Sequence, residues 1–208
     1  DTERGGSRRD SDTGSAVEQE RAEDIARHAQ TPRTGDFAER LAKQREAQNV
    51  PTVWGDKESI DAALPLLLPE QREDVLKAEQ RFANHNGMLF TNSTGTGKTF
   101  TGLGIAKRFH NDGKRNILVV VPSDKVASDW VESAAYLVLP LKQLEHTADN
   151  GGSGPVVTTY ANFGQNPTLA DREWDLVIAD ESHYLMSSED AEVTRSLAML
   201  RALTGHPD

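Results

Sequence analysis

The sequence of 208 residues has no cysteine. That removes disulfides, thiolate metal sites and cysteine nucleophiles together, and it suits a reducing compartment. It also lacks a long apolar run. Ala62–Leu68, interrupted by Pro65, and Ile117–Val121 are the longest strongly apolar stretches. Both fall well short of the roughly 18 residues that span a bilayer. A cytoplasmic location is expected. A basic excess is missing as well: 23 Lys and Arg stand against 33 Asp and Glu, for a formal charge of −10. Such a surface argues against a general nucleic-acid coat while leaving room for a local basic groove. No charged-then-apolar secretory segment follows Asp1, and the chain is expected to begin inside a longer protein.

The first 50 residues are poor in core formers. Val17, Ile25, Phe37, Leu41 and Val50 are their only Leu, Ile, Val or Phe, too few to bury the apolar area that folding alone requires. The opening DTERGGSRRDSDTGS reads as a linker. Ser15 with Glu18, and Asp36 with Glu39, have capping-box spacing, and Phe37 and Leu41 are i, i+4 neighbours. Residues 1–48 are therefore expected to be a poorly ordered or weakly helical N-terminal leader, a solvated arm. Residues 49–208 are expected to form the folded domain.

From Val50 onward, strands alternate with helices. Gln71–Asn86 carries Val75, Leu76, Glu79, Phe82 and Ala83 on one helical face, stopped by Asn86-Gly87. Met88–Thr91 reads as a short strand, and a helix from about Lys98 to Asn111 is closed by Gly113. The run Ile117–Val121 suits a strand buried on both faces. Ser123 caps a helix reaching about Tyr136. Asn150–Gly154 is a loop, and Val156–Thr159 and Asp175–Ala179 are further strands. A helix near Asp190–Met199 and a last strand at Leu203-Thr204 complete the pattern. The reading is a doubly wound α/β fold whose ligands lie outside the carboxyl ends of the strands.

Asn92-Ser93-Thr94-Gly95-Thr96-Gly97-Lys98-Thr99 sits between the Met88–Thr91 strand and the next helix. This is the context of a Walker A phosphate loop. Successive backbone N–H groups and a helix N-terminus can surround phosphates there. Gly95 and Gly97 permit close backbone approach. Lys98 places its charge on the β- and γ-phosphates, and the Thr99 hydroxyl holds Mg²⁺. Asn92 stands where the pattern usually has Gly or Ala. Farther on, Asp175–Ala179 ends in Asp180-Glu181-Ser182-His183. In a parallel sheet that end lies beside the phosphate loop. Asp180 can then join Thr99 at Mg²⁺, and Glu181 can orient or deprotonate the attacking water. Lys98, Asp180 and Glu181 are thus the catalytic candidates. Ser93, Thr94, Gly95, Thr96, Gly97, Lys98 and Thr99 are the nucleotide-binding candidates, with ATP and Mg²⁺ as cofactors.

DESH together with STGTGKT resembles the DExH-box group of superfamily 2 helicases and translocases, from roughly Pro65 to Asp208. The resemblance implies a RecA-like three-layer P-loop NTPase lobe with a mainly parallel sheet, driving movement on nucleic acid by ATP hydrolysis. Within it, Leu68-Pro69-Glu70-Gln71 is similar to the upstream glutamine motif, where Gln71 would read the adenine edge. Pro122 and Ser123 fall in a segment resembling motif Ia, and Thr158 and Thr159 in one resembling motif Ib. Both segments lie on the family's nucleic-acid track, where hydroxyls contact the sugar-phosphate backbone. His183, Thr204 and Gly205 would couple nucleotide state to movement. Leu203–Pro207 resembles the L-T-G-T-P of chromatin-remodeller motors, with His206 in place of the second hydroxyl. That segment and the Val157–Tyr160 stretch favour DNA over RNA.

The family has two such lobes, and this chain reads as the first, with the second expected beyond Asp208. A restriction or anti-phage motor, or a helicase fused to a methylase on a mobile element, shares these motifs. An AAA-type ATPase or nucleotide kinase should lack both the glutamine motif and L-T-G-x-P. A vestigial binding module should lack one of Lys98, Thr99, Asp180 and Glu181. Trp54, Trp130 and Trp174 read as packing residues, Trp54 alternatively as a neighbour of the base. No metal-ligand cluster is read among the six histidines.

Overall fold

Ile117–Val121 forms β1, and every one of its residues is buried. It has a parallel neighbour on each side, β3 (Val156–Thr159) and β4 (Leu176–Ala179). A two-residue strand, β2 (Lys142–Gln143), extends the sheet past β3, giving the order β2-β3-β1-β4. A fully buried Val, Leu or Ile is worth about 1.5–3 kcal/mol, so β1 alone anchors the sheet. The computed structural model describes residues 34–90, 96–145, 151–169 and 172–185.

Register fixes what each sheet face carries. Leu118 pairs with Val177, and Val120 with Ala179. These residues share one face with Leu144, Val156, Phe163, Leu169 and Tyr160, the last two aromatics coming from α6 (Tyr160–Gln165). Val119 pairs with Ile178 on the opposite face. Gly102 of α4 (Thr96–Asn111) lies against Ile178 there, together with Trp130 of α5 (Asp124–Tyr136). Helices on both faces of an all-parallel sheet make the three-layer α/β architecture expected from the alternation.

Helix α4 carries two interior glycines, each costing about 1 kcal/mol relative to Ala. Close packing explains both. A Cβ at Gly102 would stand 2.8 Å from the Trp130 ring, and one at Gly104 would stand 2.8 Å from Leu67. The helix is thus pressed from two sides, by α5 and by the Leu64–Leu67 segment.

Three further helices precede α4: α1 (Thr34–Glu46), α2 (Lys57–Ala63) and α3 (Pro69–Phe82). The chain divides into two units, Asp1–Ala38 and Glu39–Asp208. In the first, the described residues are the opening of α1. In the second, the rest of α1 is held by polar bonds. The Gln44 amide is fully buried; its Nε2 donates to Ala63 O at 2.8 Å and its Oε1 accepts from Leu66 N at 3.2 Å. Arg40 donates to Leu66 O at 2.6 Å. The solvated arm expected up to residue 48 therefore has an anchored part, held through Gln44 and Arg40.

The helix expected over Gln71–Asn86 starts two residues earlier, at Pro69, and ends at Phe82. Proline at the first helical position explains the early start. The strand expected at Met88–Thr91 differs more. Residues 88–90 join no ladder, and Leu89 is 70% exposed. Arg81 Nε donates to Gly87 O at 3.1 Å, tying the segment's start to the end of α3. An apolar run becomes a strand only where a neighbour accepts its hydrogen bonds. Thr91, the Asp190–Met199 helix and the Leu203-Thr204 strand lie outside the described residues.

Candidate functional site

A broad cavity of about 1070 Å³ runs along the whole of β4 and one side of α4, and takes in the end of β4 and the start of α4. Gln71, Gly97, Lys98, Asp180, Glu181 and His183 all line it. Three separate stretches of the sequence therefore converge on one concave surface that reaches past the carboxyl end of a parallel strand.

Lys98 lies in the first turn of α4, a turn without acidic residues. The positive end of the helix is thus left for an anion. Lys98 makes no ion pair among the described residues. Thr96 opens α4. Thr99 follows Lys98 in the first turn and does not line the cavity. Ser93, Thr94 and Gly95 lie outside the described residues, as do Thr204 and Gly205.

Asp180 is fixed from three directions. Its backbone N–H donates to Val120 O at 2.9 Å. Its carbonyl accepts from the Tyr160 hydroxyl at 2.7 Å. Its carboxylate Oδ2 accepts from the Trp130 indole at 3.0 Å. Burial, and then the charges of Asp180 and Glu181, push the Tyr160 phenol well above its ordinary pKa. The phenol is thus a secure proton donor at neutral pH. At the start of β4, Asn116 N donates to Asp175 Oδ2 at 2.9 Å, setting β4 against β1.

Glu181 takes a left-handed backbone, with φ of 52°. An L-residue there is strained by about 1–2 kcal/mol. The sharp turn lifts the chain out of the sheet immediately after Asp180 and begins a short 3₁₀ turn, Ser182–Leu185. Strain of this kind concentrates where a side chain must be presented to a ligand. His183 Nδ1 stands 3.1 Å from Glu181 Oε2, and both side chains are exposed. A protonated His183 would pair with Glu181; a neutral one can still donate to it.

Gln71 has a second duty. Its Oε1 accepts from Leu68 N at 2.8 Å, closing the N-terminus of α3. Its Nε2 faces Gly97, 4.0 Å from where a Cβ would be. The amide thereby lies between α3 and the start of α4.

The residues expected on a nucleic-acid track split. Pro122 and Ser123 follow β1, and exposed Ser123 caps α5 by accepting from Val126 N at 3.4 Å. Thr159 caps α6, accepting from Asn162 N at 3.1 Å. Thr158 departs from the expectation. It is buried in register with Val120, and its hydroxyl accepts from Asn162 Nδ2 at 2.6 Å. It sits on the sheet face covered by α6, away from any surface track.

The donor set fits a hard cation. Asp180 and Glu181 offer carboxylate oxygens and Thr99 a hydroxyl, and Mg²⁺ is commonly held by one or two such groups plus phosphate oxygens. No group of three or more His, Cys, Asp or Glu residues forms a protein-only metal cage among the described residues. Nor is any described helix long and apolar enough to cross a membrane.

Trp54 and Trp174 pack as expected. Trp54 meets Phe109 edge-on at 4.8 Å and donates to Asp112, while Trp174 donates to Leu169 O and carries Arg172 on its face. The indole of Trp130 on Asp180 was not foreseen. A tryptophan in a helix gives no sign in sequence of where its N–H points.

The family profile described as type III restriction enzyme, res subunit, matches residues 65–207. Among curated proteins, no significant relative matches the chain.

Proposed function

The chain belongs to the type III restriction enzyme res-subunit family, a helicase-type ATPase domain, and from that premise we propose that its cavity binds ATP with Mg²⁺ to drive movement along DNA. One observation carries the reading: Gln71, Lys98, Asp180 and Glu181 line a single cavity that runs along β4 to its carboxyl end. Lys98 and the start of α4 would bind the phosphates, and Gln71 the base. Thr99 and Asp180 would hold Mg²⁺, which offsets charge on the phosphates when bound. Glu181, turned outward by its left-handed backbone, would orient the attacking water. His183 would respond to the state of Glu181. DNA is favoured over RNA by the remodeller-like Leu203–Pro207 segment and by membership of a restriction-enzyme family. A leader ahead of the folded lobe, and a cytoplasmic location, complete the proposal.

The test is ATP and ADP affinity by calorimetry, with and without Mg²⁺, on the chain and on Lys98→Ala. Binding in the parent and its loss in the variant support the reading. Absence of nucleotide binding by the parent chain sinks it. Turnover is expected of the full-length protein, with little from this lobe alone, so the nucleic acid is chosen by measuring ATP hydrolysis of the full-length protein with single- and double-stranded DNA and RNA. Stimulation by RNA alone would overturn the DNA assignment.

A further inference from the structure

We propose that Trp130 is a positioning residue for Asp180, holding the carboxylate in the orientation in which it would receive the metal. The inference rests on the nucleotide reading of the cavity and adds to it a residue that sequence motifs do not supply.

Three observations support it. The indole N–H donates to Asp180 Oδ2 at 3.0 Å, from a side chain only 2% exposed. The ring is wedged into place: α4 has glycine at position 102, where a Cβ would stand 2.8 Å from the ring. The third is a contrast among the three tryptophans. Trp174 gives its N–H to a backbone carbonyl and Trp54 to the surface carboxylate of Asp112. Only Trp130 gives its N–H to a carboxylate lining the cavity.

The chemistry of the donor matters. An indole N–H donates but does not accept, and it carries no titratable proton near neutral pH. It can steady an anion without competing for the cation, whereas a lysine would add a repelling charge and a histidine a rival ligand. One N–H uses one of the roughly four acceptor positions of a carboxylate, so the group keeps capacity for metal. Groups that hold a metal ligand from behind typically contribute about 10–100-fold in metal affinity.

The experiment has two arms on the whole chain. In the first, indole N–H resonances are followed by ¹⁵N-resolved NMR without nucleotide or metal. The chain has three tryptophans, and Trp130→Phe assigns one signal. Asp180→Asn should move that signal strongly and leave the other two in place, because a charge-assisted bond has been replaced by a neutral one. In the second arm, ADP affinity is measured in Mg²⁺ and in EDTA. Trp130→Phe should keep ADP binding in EDTA and weaken apparent Mg²⁺ affinity by about tenfold or more. Gly102→Ala, which displaces the ring while leaving the indole intact, should do the same.

An indole signal indifferent to Asp180→Asn would overturn the proposal, as would unchanged Mg²⁺ affinity in both Trp130→Phe and Gly102→Ala. If Trp130→Phe fails to fold, Trp54→Phe and Trp174→Phe assign the Trp130 signal by elimination, and Gly102→Ala and the NMR of Asp180→Asn still decide. Failure of the parent chain to bind ADP at all would instead strike the nucleotide reading, and the first arm would remain valid.

Discussion

The two ends of α4 treat their cations in opposite ways. At the start, Lys98 lines an open cavity and makes no ion pair among the described residues. Near the end, Arg108 is fully buried, with Nε 2.6 Å from Glu79 Oε1 and a second nitrogen 3.1 Å from Oε2. Arg108 also donates to Ser59 Oγ and Val53 O, both at 2.7 Å, while Gly55 N donates to Glu79 at 2.7 Å. One helix therefore carries a charge that faces a cavity and a charge wholly committed to the fold. Arg108 staples the 50–59 segment and α3 to α4.

That contrast breaks most visibly when each cation is removed. Arg108→Ala leaves Glu79 buried without its partner, which typically costs about 3–5 kcal/mol. Lys98→Ala, at a partly exposed position, should change stability by no more than about 0.5 kcal/mol. Nucleotide affinity should show the reverse pattern, with loss in Lys98→Ala. Urea denaturation of both variants beside ADP calorimetry checks this. If Lys98→Ala destabilised the chain as much as Arg108→Ala, the division of labour along α4 would be wrong.

The cavity end can be divided further. Glu181→Gln keeps the shape and the left-handed backbone of the residue but removes the carboxylate. Loss of a group that positions or deprotonates the nucleophile usually costs about 10²–10⁴-fold in rate. In the full-length protein the expected outcome is ATP affinity near that of the parent with single-turnover hydrolysis reduced at least about 100-fold. Equal loss of binding and rate would instead assign Glu181 a structural part.

How far the sequence foretold these features depends on the range of the interaction. The Ile117–Val121 strand, the Ser123 cap and the Asp180-Glu181 strand end are local patterns, and the structure has them where periodicity and capping chemistry put them. Long-range polar bonds left no such trace. Glu79 and Arg108 are 29 positions apart, Gln44 and Leu66 are 22 apart, and Trp130 and Asp180 are 50 apart. None of these pairs has a period or spacing that marks it. Thr158 shows a different limit. Its hydroxyl suggested a surface role, but strand alternation, read in register with Val120, turns it inward. Residue type proposes chemistry, and only the register says which side of the sheet receives it.

The N-terminal anchor tests the same distinction between committed and available polar groups at smaller scale. Gln44 spends its amide on Ala63 O and Leu66 N. Gln44→Ala would orphan both backbone groups, at about 1–3 kcal/mol. Loosening should be concentrated in α1, so trypsin cleavage at Lys43 and Arg45 should accelerate while the sheet's near-ultraviolet signal persists. Unchanged cleavage would mean that Arg40 alone suffices to hold the helix.

The smallest effect at neutral pH, and the most diagnostic at high pH, belongs to Tyr160. Its hydroxyl supports the Asp180 carbonyl, and its pKa in the folded chain is raised by burial and by the Asp180 and Glu181 charges. A raised folded-state pKa means that the native state binds the phenolic proton more tightly than the unfolded chain does. The resulting stability is fully present below the unfolded value near pH 10 and is lost as pH rises above it. Tyr160→Phe removes both the hydrogen bond and this titration. At pH 7 it should cost about 1 kcal/mol, the net worth of one hydrogen bond. Above about pH 10 the parent should lose up to about 1.4 kcal/mol per pH unit relative to the variant, so that the gap closes and then changes sign before about pH 12. Denaturation midpoints of the two proteins across that range measure the gap. A gap that stayed constant to pH 12 would show that Tyr160 does not titrate differently on folding, and that the carbonyl of Asp180 is held by the strand alone.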